Sequence, residues 1–420
     1  MWAMTVRIAL VGDREDHAVH RGLLGPDVET WWVPATAPTT ADLSGFDGIW
    51  LVPGAPPADD GAVSGAIHLA RERGVPFLGP PQVGVLVGGT PPPVVHAFVD
   101  AARRRAWYRE QWQAEQAQRA AVAASEAEPR PYVHQMRGPR HRWWRPLLAG
   151  TVAAPTWFLL AGALTGVFAV AGLVPDTIEE FGTDPWGALY GNLVIAALIP
   201  ATFLGLWVGH RRSPLRVLSV ALRLRWGWML RCAAVVTPLW ILYLAASWVL
   251  FDQEVLPRPE QWFGLVVVCI LTTPLQAAGE EIAFRGGLVQ SVGSWFRSPV
   301  VALVVTTLLS TAAFVAAHGS FDPWIVIEIG TLGVFGCYLA WRTGGLEAAI
   351  VVHVVNNVLI TLTGALLGGL EESYVDPTTT GSPLSALSGV LATALVTVVL
   401  LRLARRHGIA PSGWLTPARG

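Results

Sequence analysis

The chain has 420 residues and no lysine, so its 29 cationic side chains are all arginine. That absence reads as genome composition and points to no function. Charged residues make up only 14% of the chain and the net charge is -1, which leaves no overall basic balance for nucleic acid. Cysteine is scarce. Cys232, Cys269 and Cys337 lie far apart in apolar runs, with neither a disulfide framework nor metal-type spacing. No His-Glu-x-x-His stretch occurs. The opening residues have no charged leader followed by a cleavage site, so no signal peptide is expected.

Apolar sequence is what the chain has in excess. Hydrophobic residues reach 52% and the mean hydropathy is +0.46. Much of this comes from repeated runs of about 20 residues, the length that crosses a bilayer. Eight spans are expected, at 147–172, 187–208, 229–250, 262–282, 299–317, 324–341, 346–367 and 385–403. The connections alternate in sign. Arg137, Arg140, Arg142 and Arg145 precede the first span, beside Trp143 and Trp144, a composition that anchors at the membrane interface. Asp176, Glu179, Glu180 and Asp184 follow the first span, and Arg211, Arg212, Arg216, Arg223 and Arg225 follow the second. The alternation continues to Glu371, Glu372 and Asp376, and then to Arg402, Arg405 and Arg406. Arginine-rich connections stay in the cytoplasm, so a multi-pass protein of the cell membrane with both termini cytoplasmic is expected.

Residues 1–95 read differently. Val6–Gly12, Val28–Val33, Gly48–Gly54 and Val75–Gly79 have strand character, and Gly61–Arg73 has helical spacing ended by Gly74. Strands alternating with helices predict a parallel, doubly wound, flavodoxin-like sheet. Ile8–Asp13, His20-Arg21, Gly45–Pro56 and Ala66–Gly79 resemble the first half of the glutamine amidotransferase domain of CTP synthase-like proteins. That family places a nucleophilic cysteine in the elbow after the fourth strand. Here the elbow is Pro80-Pro81-Gln82-Val83-Gly84, without cysteine, and the half that would supply the rest of the triad is missing. The resemblance therefore implies a regulatory, ligand-binding or vestigial half-domain rather than a glutaminase. After Pro91-Pro92-Pro93, residues 96–145 are expected to form an exposed, charged helix and a basic linker. The membrane domain is expected over 146–410.

Ionisable side chains are rare inside the apolar runs, and at membrane depth they mark functional sites. Glu280 and Glu281 follow the apolar run Trp262 to Gln276, with Arg285 one turn on. Within a helix Glu281 and Arg285 pair on one face, while Glu280 is rotated about 100° from Glu281 and points elsewhere. The next span ends Phe314-Val315-Ala316-Ala317-His318. Span seven carries His353 and Asn357 on one helical face, with Asn356 adjacent. If the chain turns at Pro299, Glu280 and His318 stand level in antiparallel helices, provided the fourth helix continues past Glu280. His353 lies much closer to its own turn at Gly344-Gly345 and fits that level less well. Glu328, inside span six, has no functional role assigned, and a structural pairing with an arginine or the backbone is expected for it.

The ordered set Glu-Glu-x-x-x-Arg, Phe-x-x-x-His and His-x-x-x-Asn, over about 260–365, resembles the CAAX prenyl protease and bacteriocin-processing family of intramembrane endopeptidases. The resemblance implies that Glu280 activates water, that His318 is the first motif histidine, and that His353 and Asn357 stabilise the oxyanion. Glu281 and Arg285 would support them. It implies a peptide or protein substrate, such as a membrane-bound C-terminal segment, and does not require prenylation. Two other readings stay open. Glu280, His318 and His353 are ligand types that zinc accepts, which would make a membrane metalloprotease. A non-catalytic scaffold or sensor would use the N-terminal domain as its receptor.

Overall fold

The computed structural model describes residues 5–12, 26–34, 45–51, 72–78, 93–127, 129–175, 183–370 and 375–409, together with residues 24, 43 and 68. Most of the helix expected over Gly61–Arg73, the elbow Pro80–Gly84, and the acidic residues Asp176, Glu179, Glu180, Glu371 and Glu372 lie outside them. The chain divides into two compact units, 1–124 and 125–420.

The first unit is built on four parallel strands, β1 (Val6–Gly12), β2 (Val28–Pro34), β3 (Gly48–Leu51) and β4 (Phe77–Leu78), in the order β2-β1-β3-β4. β1 pairs in register with β2 from Val6↔Val28 and with β3 from Ile8↔Gly48. Near-continuous apolar strands of this kind are buried on both faces. Val6, Ile8, Leu10, Trp50 and Leu78 pack on one side, and Ala9, Val11, Ile49 and Leu51 on the other.

The helix α1 (Pro93–Ala127) corrects the expectation of an exposed helix. Its first half buries Val95, Phe98, Val99, Ala102 and Ala106 against the sheet. Gly48 permits the approach, because a Cβ there would stand 2.8 Å from the Phe98 ring. Arg109 pairs with the buried Asp47, and Arg103 holds Asp27 at 2.8 Å. The hydrogen bond from Arg103 keeps the Asp27 carboxyl below its usual pKa. The arginines that looked like a solvated face in sequence thus fasten the helix to the residues that lead into β2 and β3. Beyond Glu110, residues 111–121 and 124 are all exposed.

The second unit is all-helical. Among the described residues, eight helices are long and apolar enough to cross a membrane, at Arg145–Val170, Pro185–His210, Trp226–Leu250, Trp262–Gly293, Pro299–His318, Pro323–Thr343, Glu347–Leu367 and Pro383–Arg406. In chain order these contain α2 (Arg145–Val170), α3 (Pro185–Ala196), α4 (Leu198–His210), α5 (Trp226–Leu250), α6 (Trp262–Glu280), α7 (Val289–Gly293), α8 (Pro299–His318), α9 (Pro323–Thr343), α10 (Glu347–Leu367) and α11 (Pro383–Arg406). A π-helical stretch, Glu281–Leu288, joins α6 to α7. The fourth span therefore runs on to Gly293 instead of ending at 282. Such wide turns arise frequently at functional sites.

Two connections are more buried than their charge suggests. In the basic linker, Tyr132, Val133, His134, Gln135 and Met136 are buried. The Tyr132 hydroxyl donates to the Val217 carbonyl at 2.6 Å, and Arg137 donates to the Ser294 carbonyl at 2.5 Å. In the arginine-rich connection after span two, Val217 and Ser219 are fully buried. Leu346 N–H donates to the Leu218 carbonyl at 2.9 Å, and Val220 N–H to the Gly344 carbonyl at 2.8 Å. Arg225 binds Glu347 bidentately, with both contacts at 2.7 Å. Glu347 is 0% exposed and Arg225 is partly buried, so the carboxylate is taken out of water against a bidentate partner.

Candidate active site

Glycines set where the helices of the site meet. A Cβ on Gly279 would stand 2.9 Å from the Ile195 carbonyl oxygen, so α3 packs directly on α6. A Cβ on Gly286 would collide with the Val217 side chain, and Leu346 stands beside the same point. Gly286 thus brings the start of α10 level with the π-helical stretch. From there α10 runs antiparallel to α6, which carries His353 to Glu280 and Glu281 and Asn357 to Gln276.

This register resolves the poor fit of His353. The turn at Gly344-Gly345 does not reach as far as the turn at Pro299. It stops higher, seated on the buried segment at Val217–Val220. His353 needs few residues beyond its turn to reach the glutamates.

His353 Nδ1 lies 2.9 Å from Glu281 Oε1, and its Nε2 lies 3.4 Å from Glu280 Oε2. The expectation that Glu280 points away from its neighbour is corrected. The two carboxylates meet opposite edges of one imidazole ring. The pairing of Glu281 with Arg285 is present, at 3.2 Å. The Arg285 guanidinium also stacks 3.7 Å over the Phe314 ring. Glu281, Arg285 and His353 are all at most 3% exposed, and Glu280 is 9% exposed.

His318 is half-buried at the end of α8. Its Nδ1 faces the carbonyl of Phe314 at 2.8 Å, and its ring packs on Phe314 with centroids 4.6 Å apart. Phe314 also meets His353 edge-on at 5.8 Å. Among the described residues no hydrogen bond or ion pair joins His318 to Glu280. Phe314 thus stands between the two histidines and under the arginine. Sequence spacing gave it a place in a motif without a role.

Asn357 Nδ2 donates to Gln276 Oε1 at 3.3 Å, and Asn356 Nδ2 donates to Asn357 Oδ1 at 2.9 Å. Gln276 was missed in the sequence. Its signal was its position one turn before Glu280, a polar side chain within an apolar run. Glu328 lies away from this cluster and binds the Ser385 hydroxyl, so its partner is neither an arginine nor the backbone.

The donor set does not fit a zinc centre as arranged. Glu280 and His353 approach each other, but His318 joins neither. Among the described residues no three His, Cys, Asp or Glu side chains are disposed to hold a metal ion.

Comparison with known proteins bears on this region. Residues 261–359, which contain all six site residues expected from the sequence, match the family described as Type II CAAX prenyl endopeptidase Rce1-like. A Bacillus subtilis (strain 168) protein, "Uncharacterized protein YyaK", is 28% identical over 130 residues. That alignment covers 30% of this chain and 43% of the relative. No solved structure matches. The chain is thus a multi-pass membrane protein whose residues 261–359 match an Rce1-like CAAX protease family model.

Proposed function

We propose that the chain is an intramembrane endopeptidase of the CAAX-protease type, in which Glu280 activates the attacking water. The observation that carries this reading is the buried imidazole of His353 shared between two carboxylates. Amide hydrolysis needs a base for water and donors for the oxygen anion that develops. The Glu281 charge is already met by Arg285. Glu280 Oε2 is buried, accepts no hydrogen bond from the protein and has His353 Nε2 3.4 Å away. Arg285 and His353 accompany the two buried carboxylates, which lowers the cost of burying them together.

The hydrogen bonds support a role for each residue. Glu281 Oε1 accepts a hydrogen bond from His353 Nδ1–H and so fixes the ring, turning Nε2 towards Glu280. His318 donates Nδ1–H to Phe314, which leaves its Nε2 as an acceptor that can position water. Water attacks the scissile carbonyl carbon as Glu280 takes its proton. His353 Nε2–H and the second Nδ2 hydrogen of Asn357 donate to the oxyanion. Collapse of the tetrahedral intermediate breaks the C–N bond, and Glu280 returns the proton to the leaving amine.

The substrate class is a peptide or protein segment reached within the bilayer, such as a membrane-bound C-terminal segment. We place the protein in the cell membrane with both termini cytoplasmic, supported by the arginine bias of the connections. The N-terminal unit is read as a catalytically silent amidotransferase-like half-domain with a regulatory or ligand-binding role. Its strand order, β2-β1-β3-β4, supports this as the first part of a flavodoxin-like sheet. The test is cleavage of quenched-fluorescence peptides by the full-length protein in lipid nanodiscs. Loss of cleavage in Glu280→Gln is expected; equal cleavage by wild type and Glu280→Gln would overturn the reading, and so would a wild type that cleaves none of the panel.

A further inference from the structure

The chain has three asparagines, Asn192, Asn356 and Asn357, and all three sit in membrane-spanning helices rather than in connections. Amides are costly at that depth unless they are used. All three contact or adjoin one side of α6. Asn192 Nδ2 donates to Thr272 Oγ1 at 2.8 Å and to Thr273 Oγ1 at 3.2 Å. One turn further along, Gln276 Oε1 accepts from Asn357, and Asn357 accepts from Asn356. Glu280 follows after one more turn. The polar groups form a strip from Thr272 to Glu280 along an otherwise apolar helix.

The bonds within the strip decide what it presents. Among the described residues, Gln276 spends its Oε1 on Asn357, and its Nε2 makes no hydrogen bond. Asn192 spends its Nδ2 on the threonines, and its Oδ1 accepts none. Gln276 is only 8% exposed, and its unused N–H pair lies one turn from the proposed base. The strip thus presents an acceptor at Asn192 and a donor at Gln276, about 5 to 6 Å apart along the helix axis at ~1.5 Å per residue. An extended peptide advances about 3.3 Å per residue and presents N–H and C=O groups along each edge.

We infer that this strip is a docking track for the backbone of an extended substrate segment, leading to Glu280. Gln276 Nε2 binds a substrate carbonyl next to the scissile bond, and Asn192 Oδ1 binds a substrate N–H further along. Gln276 also positions Asn357 by fixing its amide as a donor towards the site. The ligand is therefore a peptide that is unwound where it enters, since a helical segment has no free backbone groups to offer. This rests on the endopeptidase reading and deepens it.

The test uses full-length protein in lipid nanodiscs, with kinetics on the peptide that wild type cleaves. Gln276→Leu and Asn192→Leu are each expected to raise KM about five- to tenfold, as the loss of one hydrogen bond predicts. Gln276→Leu should also lower kcat by freeing Asn357. A substrate whose carbonyl next to the scissile bond is reduced to CH2 should lose affinity for wild type and lose little more for Gln276→Leu. If Glu280→Gln is inactive while both strip variants keep KM within about twofold, the track is overturned and the peptidase reading stands. If no peptide is cleaved, side-chain amide NMR of the 15N-asparagine-labelled protein decides the track by itself. Adding a Leu/Ala-rich peptide amide should shift the signals of Asn192 and Asn357, and unchanged signals would overturn it.

Discussion

His353 Nδ1 sits 2.9 Å from Glu281 Oε1, between helices whose sequences are 72 residues apart. That contact separates the roles of the two adjacent glutamates. Glu281 Oε1 meets both the histidine and the arginine, whereas Glu280 meets only the far nitrogen of the same ring, at 3.4 Å.

Glu280→Gln keeps size and burial while removing the base. Turnover of a cleaved peptide should fall about 10²- to 10⁴-fold. The melting temperature in detergent should stay near that of wild type, since Glu280 Oε2 accepts no hydrogen bond from the protein. A variant that melts early would mean that Glu280 is structural.

Glu281→Gln should behave in the opposite way. It leaves the fully buried Arg285 without its carboxylate, at a cost of about 3–5 kcal/mol. Adding Arg285→Met should restore part of the melting temperature by removing the orphaned charge. It should not restore cleavage, because His353 would still lack the group that orients it. Thermal denaturation and peptide cleavage on the two variants separate these effects.

Gly286→Val should disturb the register of the site. Even a Cβ here collides with Val217, and backbone shifts of this kind cost about 1–3 kcal/mol. The variant should melt lower and cleave more slowly. Val217→Gly in the same chain should recover some cleavage by reopening the contact.

Acid should weaken the docked linker through His134. Burial, with Arg137 nearby, lowers the His134 pKa to about 4. The unfolded chain takes up this proton near the ordinary value of about 6.5. The contribution is therefore complete above about pH 6.5 and is lost as pH falls towards 4. Melting temperature against pH should show this slope, and His134→Phe should flatten it.

Cleavage should survive a strong chelator. The proposed chemistry uses Glu280 and His353 directly and routes no step through a metal. Activity that disappears with the chelator and returns with zinc would instead favour the metalloprotease reading.

Much of the membrane architecture was legible in the chain itself. An apolar run of bilayer length bounded by charge or proline fixes a span, and the expected and observed spans differ mainly at their ends. The Glu281–Arg285 pair was legible too, because helical spacing alone brings those residues together. Strand periodicity likewise located the sheet of the N-terminal unit.

What the sequence could not carry was depth and direction across the bundle. Glu280 seemed to point away because an ideal helix rotates it from Glu281, yet both carboxylates meet the ring of His353. His353 seemed misplaced because a sequence does not reveal how far a turn reaches. The Val217–Val220 segment seats the Gly344-Gly345 turn within the bundle, and Gly286 admits that packing. Arg109, which read as part of a solvated helix, and Arg225, which read only as connection charge, proved to bind the buried carboxylates of Asp47 and Glu347. Local periodicity is written in neighbouring residues, so the sequence determined the spans and the carriers of the chemistry. Which groups face one another depends on contacts between helices distant in the chain, and only the tertiary packing decided that.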